Sequence, residues 1–184
     1  MRIATYNVEW FNSLFDDTGR LLEDDGWSGR HGVRRAAQIK ALGTVFRAVD
    51  ADAVMVVEAP DDSRHRATHV ALESFAARFG LRTNTSLLGF RNDTQQEIAL
   101  LYDPAHLTAR HDPMGTFTGR RGSHPLPRFD GTYRIDLDID GTEDVVTFSK
   151  PPLEVAAVSA SGRAFRMIGV HILSLIHISE PTRQ

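Results

Sequence analysis

MRIATYNVEWFN, residues 1–12, opens the chain, and the rest is read outward from it. Residues 2–8 alternate: Ile3, Thr5 and Asn7 fall on one face of a β-strand, and Ala4, Tyr6 and Val8 on the other. Successive side chains of a strand point to opposite sides, so this pattern fits a half-buried strand. Glu9 continues the parity of Asn7. An amide and a carboxylate are therefore expected to leave the strand's C-terminal end on the same side. That end of a strand is where α/β folds place their ligands.

Beyond this strand, residues 11–32 are rich in Asp, Gly and Ser and contain Trp27. They read as a long connection, which in a compact domain is usually functional or mobile. Ala36, Ile39, Leu42, Phe46 and Val49 recur at helical spacing and predict a helix over 33–49. The run AVMVV, residues 53–57, has the continuous apolar character of a buried central strand, and it ends on Glu58. A second helix is expected from an N-cap at Ser63 to about Phe79, with Ala71, Leu72, Phe75 and Phe79 as its apolar stripe and Gly80 as its stop. Strands are then expected at 86–90, 97–102, 132–138, 144–149, 153–159 and 164–171. Asp140-Gly141 and Ser161-Gly162 are hairpin-turn signals. No repeat or low-complexity tract divides the chain. One domain is expected, with helices first and largely antiparallel strands after.

The 184 residues suffice for one domain with a real core, and 41% hydrophobic and 24% charged content is that of an ordinary globular protein. The absence of cysteine excludes disulfides, thiolate metal sites and cysteine nucleophiles. No apolar run approaches the roughly 20 residues of a membrane span. Without a leader-like segment before the first strand, a cytoplasmic, non-membrane protein is expected. The net charge of −3 disfavours tight, sequence-blind nucleic-acid binding, but not an enzyme that touches a few phosphates. Residues 173–184, LSLIHISEPTRQ, form a strand-like pattern. They also match, residue for residue up to Arg183, the translation of a transposase-type sequencing-library adapter. They are read as a non-native tail, and the domain as residues 1–172 of a longer protein.

Several side chains could carry chemistry. Glu58, at the end of an apolar strand, must be paired, hydrogen-bonded or metal-bound if buried, and a hard cation such as Mg²⁺ takes such oxygen ligands. As a solvated loop residue it would need none of these. Asn7 and Glu9 share its expected strand edge. His171 closes the last strand and could donate a proton or hydrogen bond to a developing negative charge, or serve the fold alone. Lys150, in FSKPPLEV, and Arg120, Arg121 and Arg128 are cations that could meet phosphate oxygens or simply be solvated. His65 and His69 have the i, i+4 spacing of zinc ligands, but Arg66 stands where a zincin has its Glu, so both read as surface residues. No Walker loop, GxGxxG or GxSxG is present.

Taken in order, TYNVEW, VVEAPD, EIALLYDP, FSKPPLEV and IGVH resemble the endonuclease/exonuclease/phosphatase superfamily, the deoxyribonuclease-I-like fold. The resemblance spans residues 1–172. It implies an α/β fold in the form of a four-layer α-β-β-α sandwich, two packed mixed sheets flanked by helices, of which the N-terminal part is present. It also implies Mg²⁺-dependent (or Mn²⁺-dependent) hydrolysis of phosphoesters. On the matching positions, Glu58 is implied as the principal metal ligand and Glu9 as an acidic assistant. Asn7 orients the metal site and the phosphate, Lys150 contacts phosphate where many members carry Arg, and His171 stabilises developing charge. The sequence departs from the family in its long connection between Asn7 and Glu58. It also lacks the Gly-Asp-x-Asn turn and the final Ser-Asp-His.

The expectation is a nuclease-like phosphodiesterase acting on nucleic acid. A phosphatase for a small phosphorylated molecule and a non-catalytic binding module of the same fold are the alternatives. The fragment itself is expected to be inactive and to fold poorly, since about half the catalytic set and its sheet partners lie beyond it.

Overall fold

The computed structural model describes residues 1–92, 94, 96–115, 128–136 and 139–172. The adapter-like tail, Arg120 and Arg121 lie outside these. The fold is mixed α/β. β1 (Ile3–Asn7) leads through a 3-10 turn (Phe11–Leu14) to α1 (Arg35–Val49), β2 (Ala53–Pro60), α2 (Thr68–Phe79), β3 (Thr85–Leu88) and β4 (Gln96–Tyr102). β5 (Leu107–His111), β6 (Thr132–Ile135), β7 (Asp144–Thr147), β8 (Leu153–Ser159) and β9 (Ala164–Gly169) follow. One sheet has the order β1-β2-β4-β3, with β1 parallel to β2 and the other pairs antiparallel. A second, antiparallel sheet has the order β5-β8-β9, and β6 pairs with β7 as a hairpin.

The alternation of each strand assigns its two faces to two cores. Val54 and Val56 of β2 and Ala99 and Leu101 of β4 pack with Ile39, Leu42 and Phe46 of α1 and Leu72 and Phe75 of α2. Ala53, Met55, Ile98 and Leu100, on the other face, pack with Leu107 of β5 and Leu153, Val155 and Ala157 of β8. Helices, first sheet and second sheet are thus three successive layers, each large apolar side chain contributing roughly 1.5–3 kcal/mol on burial.

Residues 137–138 of the strand expected at 132–138 lie outside the described residues, and β9 ends at Gly169, two residues before His171; otherwise the expected elements form with three differences. The connection after β1 is built into the helix-side core: Phe11, Leu14 and Phe15 are buried there, and Phe11 meets Phe75 edge to face at 5.1 Å. α2 starts at Thr68, not after Ser63. The buried Arg66 guanidinium donates to the carbonyls of Asp16 (3.0 Å) and Phe15 (3.1 Å) and to Asp61 (2.8 Å), tying the segment before α2 to the β1 connection. Ser63 instead accepts the Arg66 N–H at 3.2 Å in a turn. Third, β5 is a strand that the sequence pattern did not announce: LTARH has one buried apolar residue and is identified by its pairing with β8.

Candidate functional site

β1 and β2 run parallel with Asn7 opposite Val57, so both reach the same sheet edge. β4 runs the other way, so its first residue, Gln96, begins at that edge opposite Pro60. Between Val57 and Ala59 the β2–β4 register shifts, and Glu58 has φ +62°. This is a bulge: the extra residue lets Ala59 rejoin the helix-side core and turns Glu58 out of the ladder. A left-handed backbone at a non-glycine residue costs on the order of 1–3 kcal/mol and persists only where its surroundings impose it.

Those surroundings are hydrogen bonds to the Glu58 carboxylate. Asn7 Nδ2 donates to Oε1 at 3.2 Å; the Trp10 N–H (3.3 Å) and Gln96 Nε2 (2.8 Å) donate to Oε2. His171 Nε2 stands 3.5 Å from Oε1. His171 comes from the second sheet, and Gly169 permits the approach. A Cβ on Gly169 would lie 2.5 Å from Met55 Sδ and 2.8 Å from Ile98 Cγ2, so only glycine lets the end of β9 lie this close to β2 and β4. Lys150, just before β8, donates to His171 Nδ1 at 2.9 Å and to Gln96 Oε1. An ammonium donor at Nδ1 makes that nitrogen an acceptor and puts the imidazole proton on Nε2, facing Glu58.

The structure thus brings together Asn7, Glu58, Lys150 and His171. It holds the Glu9 carboxylate apart, because β1 ends at Asn7 and the next turn is left-handed at Glu9 (φ +50°) and Trp10 (φ +60°). Strand parity does not survive that turn. The Glu9 carboxylate pairs with Arg30 at 3.3 Å, while its N–H donates to Asn7 Oδ1 at 3.0 Å and its carbonyl accepts from Gln38 at 3.0 Å. Glu9 therefore orients the Asn7 amide through its backbone. Arg128 pairs with Asp130, and His65 and His69 are exposed. Gln96, a clamp between Glu58 and Lys150, was not singled out from the sequence. It carries no charge, and the signal that could have found it is its place at the start of a strand paired with β2.

Burial is the main electrostatic influence here. It pulls the His171 imidazole below its usual value, helped by the Lys150 charge and opposed by Glu58. It lowers Lys150 as well, against the pull of Glu58. Glu97, on the other side of β4, is 4% exposed with Oε1 unpaired, and Asn92 donates to Oε2 at 2.6 Å. Burial, reinforced by the Asp62 charge, pushes its carboxyl up to about 7.

Among the described residues no group of three or more His, Asp or Glu side chains gathers as a metal cage. Glu58 fits a sparser scheme. Its side chain is 14% exposed, and among the described ion pairs it has only His171, an imidazole held towards neutrality. A half-buried carboxylate whose hydrogen-bond donors are two amides and a backbone N–H can still take positive charge from a bound cation. Mg²⁺ commonly takes one or two carboxylates and completes its shell with water and phosphate oxygens. Comparison with protein-family models, curated proteins and solved structures finds no match to the chain. Among the described residues no helix is long and apolar enough to cross a membrane.

Proposed function

We propose that this chain is the N-terminal part of a metal-dependent phosphoester hydrolase of the endonuclease/exonuclease/phosphatase type, nuclease-like in its substrate. The observation that carries the proposal is the convergence of Glu58, Asn7, His171 and Lys150 from two sheets on one strand edge, with Glu58 on a strained bulge. The four-layer sandwich belongs to the same proposal. Its fourth layer would cover the outer face of the second sheet, where Val158 and Ile168 are exposed.

In this proposal Glu58 would hold Mg²⁺ or Mn²⁺, with the Asn7 amide orienting its carboxylate, and the bound ion would supply charge stabilisation to a phosphoryl oxygen. His171, protonated at Nε2 and neutral, donates a hydrogen bond to the oxygen on which charge develops. Lys150 fixes the imidazole through Nδ1 and adds positive charge beside it. Fixed donors of this kind act by orientation and electrostatics, and losing one commonly lowers turnover by about 10²–10³. Gln96 holds the carboxylate and the ammonium apart at a set distance.

The test has two parts. Mg²⁺ titration of the present chain should show a binding event that Glu58→Gln removes. The protein encoded by the uninterrupted gene should hydrolyse duplex DNA in the presence of Mg²⁺, with Glu58→Gln and His171→Ala inactive. Hydrolysis that is indifferent to Mg²⁺ or to Glu58 would overturn the proposal. Turnover of small phosphomonoesters in place of DNA would move it to the phosphatase alternative, which the net charge of −3 favours.

A further inference from the structure

One flank of this edge is a cleft of about 400 Å³, within the roughly 300–1,000 Å³ of small-molecule sites. Its wall includes Asn92, Thr94, Phe148, Ser149 and Pro151. Two chain segments join it to the site. Ser149 and Pro151 flank Lys150 in sequence, and Asn92 Nδ2 (3.2 Å) and Thr94 Oγ1 (3.0 Å) both donate to the Gln96 carbonyl. A group bound here therefore lies against the two residues that flank Lys150 and against side chains bonded to the Gln96 carbonyl, next to the residues that reach His171 and Glu58.

The chemistry of the cleft is set by Phe148. It is 42% exposed, yet its ring is fixed: Phe129 at 5.1 Å and Tyr133 at 6.1 Å both stand nearly perpendicular to it. A phenyl ring kept half in water, with two aromatic neighbours setting its plane, is a stacking platform for a flat partner. The polar wall adds little charge for a second phosphate. The Asn92 amide is consumed internally, its Oδ1 accepting from Thr94. Arg91 is paired with Asp62, and Asp130 with Arg128. A polyphosphorylated sugar would need free cations, and among the described residues of the wall the arginine and the acid are both ion-paired; a planar heterocycle would need none.

We infer that the cleft takes the nucleoside portion of a phosphoester, its base stacked on Phe148 and its phosphate directed at Lys150. This rests on the phosphoesterase reading of the Glu58 edge and narrows it to substrates that carry a nucleobase. Stacking on one aromatic side chain is sequence-tolerant, so it recognises a base without selecting which.

Saturation-transfer NMR on the 184-residue chain tests the inference with three probes: adenosine 5′-monophosphate, adenosine and ribose 5-phosphate. Saturation is expected on the base protons of the first two. Phe148→Leu, which keeps apolar bulk without a ring face, should weaken both by about tenfold, and Phe148→Trp should restore them. Far-ultraviolet circular dichroism of the Leu variant, matching the wild type, separates lost stacking from lost fold. Unchanged nucleotide binding by a folded Phe148→Leu variant, no detectable nucleotide binding, or equal binding of ribose 5-phosphate and the nucleotide would each overturn it. Lys150→Met distinguishes the underlying reading. It should weaken both phosphate-bearing probes and spare adenosine. If Lys150→Met changes nothing while adenosine binding still depends on Phe148, the cleft stands and the phosphate assignment falls.

Discussion

Asp52, just before β2, and Glu58, near its end, are carboxylates on the same stretch of chain, and the antiparallel partner β4 meets both. At the first end, the Asp103 N–H donates to the Asp52 carbonyl at 2.9 Å, and Arg82 ion-pairs with Asp50, Asp52 and Asp103. His106 joins Asp103 at 2.8 Å, and the Arg2 N–H donates to Asp52. At the other end, the partners of Glu58 are two amides, a backbone N–H and an imidazole, and the nearby ammonium is turned onto Gln96 and His171. Burial would raise Asp52 and Asp103, yet hydrogen bonds, from Arg82 and Arg2 to Asp52 and from Ala105 and His106 to Asp103, hold both below the usual carboxylate range. At the Glu58 end burial prevails: Lys150 and His171 are both lowered, the Glu58 charge opposing the shift only in part. One end of the strand pair spends its charges on the fold. The other keeps a carboxylate, an amine and an imidazole in reach of each other without neutralising them, which is what binding an external ion or phosphate requires.

The largest effect that could break this contrast is at the closed end. Arg82→Ala should destabilise by about 3 kcal/mol in denaturant unfolding, because it leaves two buried carboxylates without their shared cation. A change below about 0.5 kcal/mol would mean that the network is no more closed than the site. Next comes the approach between the sheets. Gly169→Ala should cost about 1–3 kcal/mol by overpacking Met55 and Ile98, and should also shift the His171 ring resonances. Glu97→Gln should be stabilising above neutral pH. Its native value of about 7 exceeds the ordinary 4.5, so the native state holds the extra proton between those limits and stability falls as pH rises through them. The gain at pH 8 is at most roughly 3 kcal/mol and should vanish at pH 4. The smallest effect has the opposite sign to that of Arg82: Lys150→Met should stabilise by about 0.5–1 kcal/mol while weakening phosphate binding.

Acid titration of stability separates the two ends without mutation. His171 is depressed, so the unfolded chain takes up its proton first and stability declines as pH falls below about 6.5. Asp52 and Asp103 are also depressed, so their contribution is intact above about 3.9 and is lost only as pH falls further. His171→Gln should shrink the first decline, the remainder belonging to His111, which burial also lowers, and leave the second.

Much of this was legible in the sequence, and the boundary of legibility has physical causes. AVMVV reads as a buried strand and forms one, and the faces assigned to Tyr6 and Asn7 hold because β1 is regular. The same parity rule failed two residues later at Glu9, where regularity ends in a left-handed turn that no residue type in VEW announces. Ser63 has the residue type of a helix cap, but the start of α2 is decided by Arg66 reaching the β1 connection, a contact remote in sequence. The convergence of His171 on Glu58 rests on Gly169, which in the sequence is one glycine among 14.

The backbone at Glu9, Trp10 and Glu58 carries one more consequence. All three have φ between +50° and +62°, where glycine is at ease and their own residue types are not. A library of this protein sorted for folding alone should therefore drift to glycine or asparagine at these positions. One sorted for ligand capture should hold Glu58 fixed, and the position at which the two lineages part would mark the functional residue without any prior choice of substrate.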